Sequence, residues 1–212
     1  MADHDEILKK VYAAKGDTQA LSDSYNEWSD SYDGDLAAMG YRYPFMMAGT
    51  LGRFVPDLDS SILEAGCGSG LIGEALSLVG YRNLTGIDIS EGMLARASGK
   101  NCYRDLRREV LGEPLSFDTG SFDTVISAGV MTSGHAPADC LDELARVLKS
   151  GGHFVVTISR IAWEEEGYQD AAERLAAARV VDPMFNSAYF VPLPGAKKEE
   201  QHESAVHVMR KF

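Results

Sequence analysis

From residue 61 onward the sequence alternates short apolar runs with helical stretches. The runs "SILEA", "NLTGIDI", "FDTVISAG" and "GHFVVTIS" are separated by stretches such as "GLIGEALSLV", "GMLARAS" and "CLDELARVL". In the last of these Leu141, Leu144 and Leu148 share one helical face. Strands alternating with helices of this length specify a parallel sheet wound on both faces. Sheets of that kind bind ligands at the carboxyl ends of their strands, most often in the first strand-to-helix loop. Before residue 61 the pattern is different. "DEILKKVYAA" puts Ile7, Leu8, Val11 and Tyr12 on one helical stripe, and Asp17 to about Val55 carries apolar and aromatic residues at mixed helical spacing. At the other end "FNSAYFVPL" and "SAVHVMRKF" flank a polar segment and read as two closing strands, an antiparallel pair.

The first strand-to-helix loop, "ILEAGCGSGLIGEAL" (residues 62–76), admits two readings. Gly68-Ser69-Gly70-Leu71-Ile72-Gly73 matches the dinucleotide fingerprint G-x-G-x-x-G, and Asp88 stands where a ribose-binding carboxylate belongs. A glycine loop at a helix N-terminus suits a diphosphate. Glu64, two residues before Gly66, argues the other way: a carboxylate at the mouth of the first strand repels a diphosphate and pairs with an ammonium or a sulfonium. The plainer alternative is that Glu64 points away or caps a backbone group.

Composition limits the partners. The chain has 212 residues, 45% of them hydrophobic, enough for one well-buried core. Its formal net charge is -12, and its short Lys/Arg pairs are flanked by acids, so nucleic acid, a polyanion bound largely through phosphates, is not an expected partner. Three cysteines, Cys67, Cys102 and Cys140, form no C-x-x-C and no even framework, which suggests neither zinc nor a secreted disulfide scaffold and fits a reducing cytoplasm. No histidine has ligand-like spacing, and no metal site is indicated. No stretch approaches the roughly 20 apolar residues that span a bilayer, and no signal-peptide h-region opens the sequence.

The ordered motifs resemble the class I S-adenosylmethionine-dependent methyltransferases. "LEAGCGSG" is similar to their first motif, "GIDIS" followed by "EGMLARA" to their second, "FDTVISAG" to their fourth strand, and "LDELARVLKSGGHFVVTIS" to their helix, K-x-G-G turn and fifth strand. The resemblance covers about residues 24 to 160. "SYNEWSDSYDGDLAAMGYRYP", joined to "LGEPLSFDTGSFD" and "GVMTSGHAPADCLDEL", resembles more closely the Williams-Beuren-region methyltransferase-like proteins and their bacterial relatives. The family fold is a doubly wound, Rossmann-like α/β sheet of seven strands, mostly parallel with an antiparallel C-terminal strand, preceded by helices. The resemblance thus implies one methyltransferase domain over residues 1–212: a helical N-terminal lid (1–58), a cofactor-binding core (59–160), and a helix with closing strands (161–212).

It also implies S-adenosylmethionine as cofactor, with S-adenosylhomocysteine as product, and assigns residues to it. Glu64, Gly66, Cys67, Gly68 and Gly70 face the methionyl half, with Cys67 a small packing residue. Asp88 binds both ribose hydroxyls, Ile89 and Met93 flank the adenine, and Ala128, in the fourth-strand motif, is a further cofactor-binding residue. Tyr32, in the W-x-x-x-Y-D stretch that covers the cofactor in related enzymes, closes over the methionyl group. Arg42 reads either as a partner for the cofactor carboxylate or a substrate acid, or as a surface residue. Many relatives end the third strand in Asp-Leu, the Asp accepting from the adenine amino group; here Val110-Leu111 stand there, so backbone groups and apolar contact hold the ring. Asp105 is expected earlier, in the turn before that strand.

An activated methyl donor needs an aligned acceptor and a dry site, with a base only where the acceptor arrives protonated. The loop after the fourth strand, "AGVMTSGHAPAD", lacks the Asn/Asp-Pro-Pro-aromatic signature of methyltransferases acting on adenine, cytosine amino groups or glutamine. His135, the one histidine in this loop, reads as a base or substrate contact, or as a cap for the helix beginning near Pro137. Tyr25, Trp28 and Tyr32 fall at i, i+3 and i+7, a helix stripe packed on the core. The segment from Trp163 to Val206 is expected to form a helix and hairpin roofing the acceptor pocket, which draws Tyr25, Met131, Met184, Phe185 and Tyr189 into its wall.

Three classes follow: a methyltransferase acting on a small-molecule acceptor, an NAD(P)-dependent oxidoreductase, and a non-catalytic S-adenosylmethionine-binding protein. The oxidoreductase reading is weakened by Glu64 and by the absence of a Tyr-x-x-x-Lys. No residue pattern names the acceptor or the oligomeric state.

Overall fold

The computed structural model describes residues 10, 11, 13, 14 and 16–212. Of the first expected helical stripe, Ile7, Leu8 and Tyr12 lie outside the described residues, while Val11 is buried against Leu21, Trp28, Leu36 and Met39. Ahead of the sheet lie the helices α1 (Thr18–Trp28), α2 (Tyr32–Ala38) and α3 (Tyr43–Phe54). Asp17 caps α1, its carboxylate accepting from the Gln19 and Ala20 amides, and Pro44 sits in the first turn of α3, where a missing N–H costs nothing.

The sheet follows. Its strands are β1 (Ile62–Ala65), β2 (Leu84–Asp88), β3 (Tyr103–Arg108), β4 (Phe122–Met131), β5 (Leu148–Ser159), β6 (Val181–Asn186) and β7 (Ser204–Lys211). Helices α4 (Leu71–Leu78), α5 (Glu91–Gly99), α6 (Cys140–Val147), α7 (Arg160–Glu165) and α8 (Tyr168–Ala177) lie between them. The order across the sheet is β3-β2-β1-β4-β5-β7-β6. β1 to β5 pair in parallel and β7 runs antiparallel to both neighbours, so the expected seven-stranded, doubly wound sheet with an antiparallel C-terminal strand is observed.

All four residues of β1 are buried, as a central parallel strand covered on both faces requires. Leu63 and Ala65 face a core shared with α6 and α8, where Leu141, Leu144, Tyr168 and Leu175 pack. Ile62 faces the other core, with Tyr43, Met47 and Leu51 of α3 and Ile72 and Leu76 of α4. Strand order reverses between β1 and β4, which opens a crevice at their carboxyl ends.

Two strands differ from expectation. β3 ends at Arg108, before Val110-Leu111, and Asp105 lies within it opposite Thr85, not in a preceding turn. β3 is an edge strand whose Arg and Asp side chains blunt it against further pairing, so it lacks the apolar period that would fix its ends. β6 is Val181–Asn186, overlapping "FNSAYFVPL" only at Phe185 and Asn186. Beyond Asn186 one isolated bridge, Phe190 to Ser204, joins the chain to β7, and Pro192 and Pro194 have no amide to give a ladder.

Candidate active site

The glycine loop is shaped by left-handed backbone and close contacts. Gly66, Gly68 and Gly70 have φ of +75°, +52° and +87°, a region that favours glycine. A Cβ on Gly66 would lie 2.2 Å from Val130 Cγ2, and one on Gly73 would lie 2.2 Å from the Tyr103 hydroxyl. The last glycine of the apparent dinucleotide fingerprint thus clears a path for Tyr103, whose hydroxyl donates to Glu64 Oε2 at 2.8 Å. A Cβ on Gly68 would meet no atom within 4 Å, leaving that part of the loop open to a ligand.

Glu64 is 1% exposed, and its second oxygen, Oε1, has no hydrogen-bond partner. Burial pushes its carboxyl up to about 8, the nearby Asp88 adds to this, and the Tyr103 hydrogen bond opposes it. Asp88, at the end of β2, accepts from the Gly68 amide at 2.8 Å and from the Ser90 amide at 2.9 Å. Burial raises its pKa, and these backbone bonds partly offset the rise. Asp88 therefore braces the glycine loop against the start of α5 in addition to facing the cleft. Cys67 packs over Gly86, and burial holds its thiol protonated, consistent with a packing residue.

The N-terminal helices close the cleft from above. Ser22 donates to the Ile89 carbonyl at 3.2 Å, and Asn26 Oδ1 accepts from Ser90 Oγ and the Gly92 amide at 2.7 and 2.9 Å. Asp33 of α2 accepts from Ser69 in the glycine loop and from Lys100. On the opposite rim the Tyr25 hydroxyl lies 2.9 Å from His135 Nε2. His135 Nδ1 lies 2.8 Å from Thr132 Oγ1 and 3.1 Å from the Ser133 carbonyl, and burial lowers its pKa.

The cleft spans about 910 Å³ counted to its open mouth. Of the residues expected from sequence, Tyr25, Tyr32, Gly66, Cys67, Gly68, Asp88, Ile89, Met93, Val110, Leu111, Ala128 and His135 line it together. Glu64 and Gly70 are not in the lining and lie beneath it, against Tyr103. Five others are elsewhere. Arg42 donates to the Val191 carbonyl at 3.3 Å, tying α3 to the C-terminal loop. Met131 is fully buried in the core beside Leu63 and Ile158. Met184, 44% exposed, and Phe185, packed on Phe54 with ring centroids 5.6 Å apart, belong to the far edge strand β6. Tyr189 lies under the Arg160 guanidinium. The hairpin therefore closes the sheet edge and does not roof the cleft.

Sequence reasoning missed Leu21, Tyr41, Ser69, Glu109 and Val130 among the lining residues. Tyr41 and Glu109 each adjoin a residue that was singled out, which is the signal that was available. Among the described residues the lining holds two carboxylates, Asp88 and Glu109, and neither Lys nor Arg. A diphosphate fits this poorly. A cation fits it better, since both carboxylates of the wall can pair with one, and Glu64 beneath the loop, held neutral by burial, keeps an unpartnered carboxyl oxygen.

Residues 63–156 match the family described as "Methyltransferase domain". Human methyltransferase-like protein 27 is 34% identical over 173 residues, covering 79% of this chain and 70% of that protein. The chain belongs to the S-adenosylmethionine-dependent methyltransferases. The yeast 18S rRNA (guanine(1575)-N(7))-methyltransferase is 38% identical over 107 residues, a match spanning 45% of this chain and 39% of that protein. Among solved structures, a SAM-dependent methyltransferase of Methanosarcina mazei has TM-score 0.62 at 20% identity, covering 77% of this chain and 97% of that one, and so shares the fold. S-adenosylmethionine is the cofactor of this family, and the nicotinamide reading of the glycine loop is set aside. Among the described residues of the methyltransferase no helix is long and apolar enough to cross a membrane, and no group of three His, Cys, Asp or Glu is placed to hold a metal.

Proposed function

We propose that this enzyme transfers a methyl group from S-adenosylmethionine, held in the cleft at the ends of β1, β2 and β4, to a small uncharged or weakly basic molecule. Asp88 takes the ribose hydroxyls, Ile89 and Met93 flank the adenine, and the Val110 and Leu111 backbone meets its edge. Tyr32 covers the methionyl half, with Glu64 and the glycine loop beneath it. Gly66, Cys67, Gly68, Gly70 and Ala128 supply close backbone or small-side-chain contact.

The observation that carries the acceptor class is the cleft lining: tyrosines at positions 25, 32 and 41, two carboxylates and, among the described residues, no basic side chain. Such a wall attracts aromatic, neutral or cationic bodies and opposes phosphates and carboxylates. A net charge of -12 gives a nucleic acid little counterion release to gain from, so RNA is not the acceptor proposed. The lid helices, the core and the closing strands act as one domain. The three free cysteines suit the reducing cytoplasm, where we place the enzyme.

The cofactor supplies an already activated methyl. The chain's own residues align the acceptor, exclude water under α1 and α2, and place His135 near any proton the acceptor must lose. The test is calorimetry with S-adenosylhomocysteine and with NAD, followed by S-adenosylhomocysteine production from S-adenosylmethionine and a panel of small phenols, thiols and amines, with total RNA as a parallel acceptor. Micromolar binding of S-adenosylhomocysteine, none of NAD, and turnover on a small molecule support the reading. Turnover on RNA alone overturns the acceptor class.

A further inference from the structure

His135 is engaged at both ring nitrogens. The Ser133 carbonyl, 3.1 Å from Nδ1, can only accept, and Thr132 Oγ1, 2.8 Å from the same nitrogen, can accept too, so the tautomer with its proton on Nδ1 satisfies both contacts and leaves the lone pair on Nε2. That lone pair is already met by the Tyr25 hydroxyl at 2.9 Å. An acceptor in the cleft therefore reaches the phenol oxygen of Tyr25 before it reaches the imidazole. The Tyr25 ring is fixed in turn, stacked on Trp28 with centroids 6.3 Å apart and edge-on to Tyr32 at 6.3 Å, while Trp28 Nε1 donates to Asp35 at 2.8 Å. Tyr25 and His135 both line the cleft, from α1 and from the loop after β4.

Resting on the methyl-transfer reading above, we propose that Tyr25 is the catalytic group that takes the acceptor's proton and that His135 is the positioning residue that draws it onward. The acceptor atom forms its bond to the methyl carbon as the carbon–sulfur bond breaks, the bonding pair staying on sulfur. The proton lost by the acceptor goes to Tyr25 Oη while the Tyr25 proton passes to His135 Nε2. One positive charge enters on sulfur and one leaves on the imidazolium, so a cleft shielded from water does not change its net charge during the step. The substrate class is accordingly one whose nucleophilic atom carries both a lone pair and a proton: a phenol, a thiol or a neutral amine. A phenol alone is a weak base near neutrality; a neutral imidazole behind it gives the proton a destination of matched affinity.

Among the described residues, groups facing His135 come from four places. Tyr25 is on α1, Thr132 and Ser133 are in its own loop, Glu166 follows α7, and His202 precedes β7. Glu166 favours the charged ring, and burial outweighs it, so the imidazole is neutral and able to accept at pH 7. Activity is expected to fall as pH drops through a value below the ordinary 6.5.

The test joins histidine ¹⁵N NMR of the S-adenosylhomocysteine complex with kinetics on whichever phenol, thiol or amine of the panel turns over. The proposal expects a neutral His135 protonated at Nδ1, and an Nε2 resonance that moves in Tyr25→Phe. It expects Tyr25→Phe and His135→Gln each to lower kcat about a hundredfold or more, with S-adenosylhomocysteine affinity within threefold of wild type and no further loss in the double variant. A proton found on Nε2 overturns the relay whether or not an acceptor is known. So does full kcat in Tyr25→Phe, and if cofactor affinity falls there instead, the pair is a lid latch. Failure of the unmodified protein to bind S-adenosylhomocysteine at all sinks the methyl-transfer reading itself and is thereby told apart from failure of the relay.

Discussion

The two ends of the sheet answer to different constraints. At the mouth of β1, β2 and β4, residue identity is forced: positive φ and a 2.2 Å approach exclude a side chain at Gly66, and two backbone amides need Asp88 as their acceptor. At the β5-β7-β6 end, what matters is apolar volume and register. There Met184, Phe185 and Tyr189 have the composition of a pocket wall and instead cover a sheet edge. Chemistry is thus readable where the backbone demands one residue type, and poorly readable where several apolar residues would serve.

The largest expected effect lies at the first end. Asp88→Ala removes the proposed ribose acceptor and also leaves the Gly68 and Ser90 amides without a partner. Cofactor affinity should fall by about 3–5 kcal/mol, since hydrogen bonds to a charged group are worth about 1.5–3 kcal/mol each. Calorimetry with S-adenosylhomocysteine reads this. A loss under about 1 kcal/mol would mean that Asp88 only braces the loop and that the ribose lies elsewhere.

Glu64 shows the stability cost of that site. Its folded value of about 8 lies above the ordinary 4.5, so the folded protein keeps it neutral while the unfolded chain ionises. Its contribution is fully present below pH 4.5 and is lost as pH rises toward 8. At pH 7 the loss is about 3 kcal/mol. Glu64→Gln cannot ionise, so its stability relative to wild type should improve by about 3 kcal/mol between pH 4 and pH 7, measured by urea unfolding without ligand. A pH-independent difference would show that the carboxyl titrates normally in the folded protein.

How much of this was legible follows from the same contrast. The parallel sheet, its antiparallel C-terminal strand and much of the cleft lining were readable because apolar period and glycine spacing report backbone needs directly. The reason for Gly73 was not, because it lies in Tyr103, 30 positions downstream, whose hydroxyl passes over it to Glu64. His135 stood out in its loop, while its partner Tyr25 is 110 residues away and was placed by aromatic spacing alone. The ends of β3 were hidden because an edge strand of alternating charges has no apolar face.

His207 makes the opposite pH argument at the other end. Its ring stacks on Trp163 with centroids 4.3 Å apart, its Nε2 is buried without a hydrogen-bond partner, and burial pushes its pKa down to about 4. The neutral form is the folded one, so this stability is present above the ordinary 6.5 and is lost as pH falls from there to about 4. The full span is worth about 3 kcal/mol. His207→Phe keeps a ring on Trp163 and should remove that share of the acid sensitivity, with cofactor affinity untouched. An unchanged slope of stability between pH 6.5 and 4 would move the effect to the other depressed histidines, His135, His153 and His202.

The smallest effects test the comparison most directly. Met184→Ala trims a side chain that is 44% exposed on an edge strand, so stability should change by no more than about 0.5 kcal/mol. Tyr189→Ala forfeits a cation–π contact to Arg160 at 5.3 Å, worth about 0.5–1 kcal/mol at an exposed site. Neither should alter S-adenosylhomocysteine affinity or acceptor KM by as much as twofold, because the cleft walls come from α1, the glycine loop and the loop after β4. Leu21→Ala, on α1 and facing that cleft, is the counterpart: it should raise KM or weaken cofactor binding severalfold and, being buried, also cost about 2–5 kcal/mol of stability. Should Met184→Ala raise KM as much as Leu21→Ala does, the hairpin would have to reach across the cleft during turnover, and the two ends of the sheet would share one function after all.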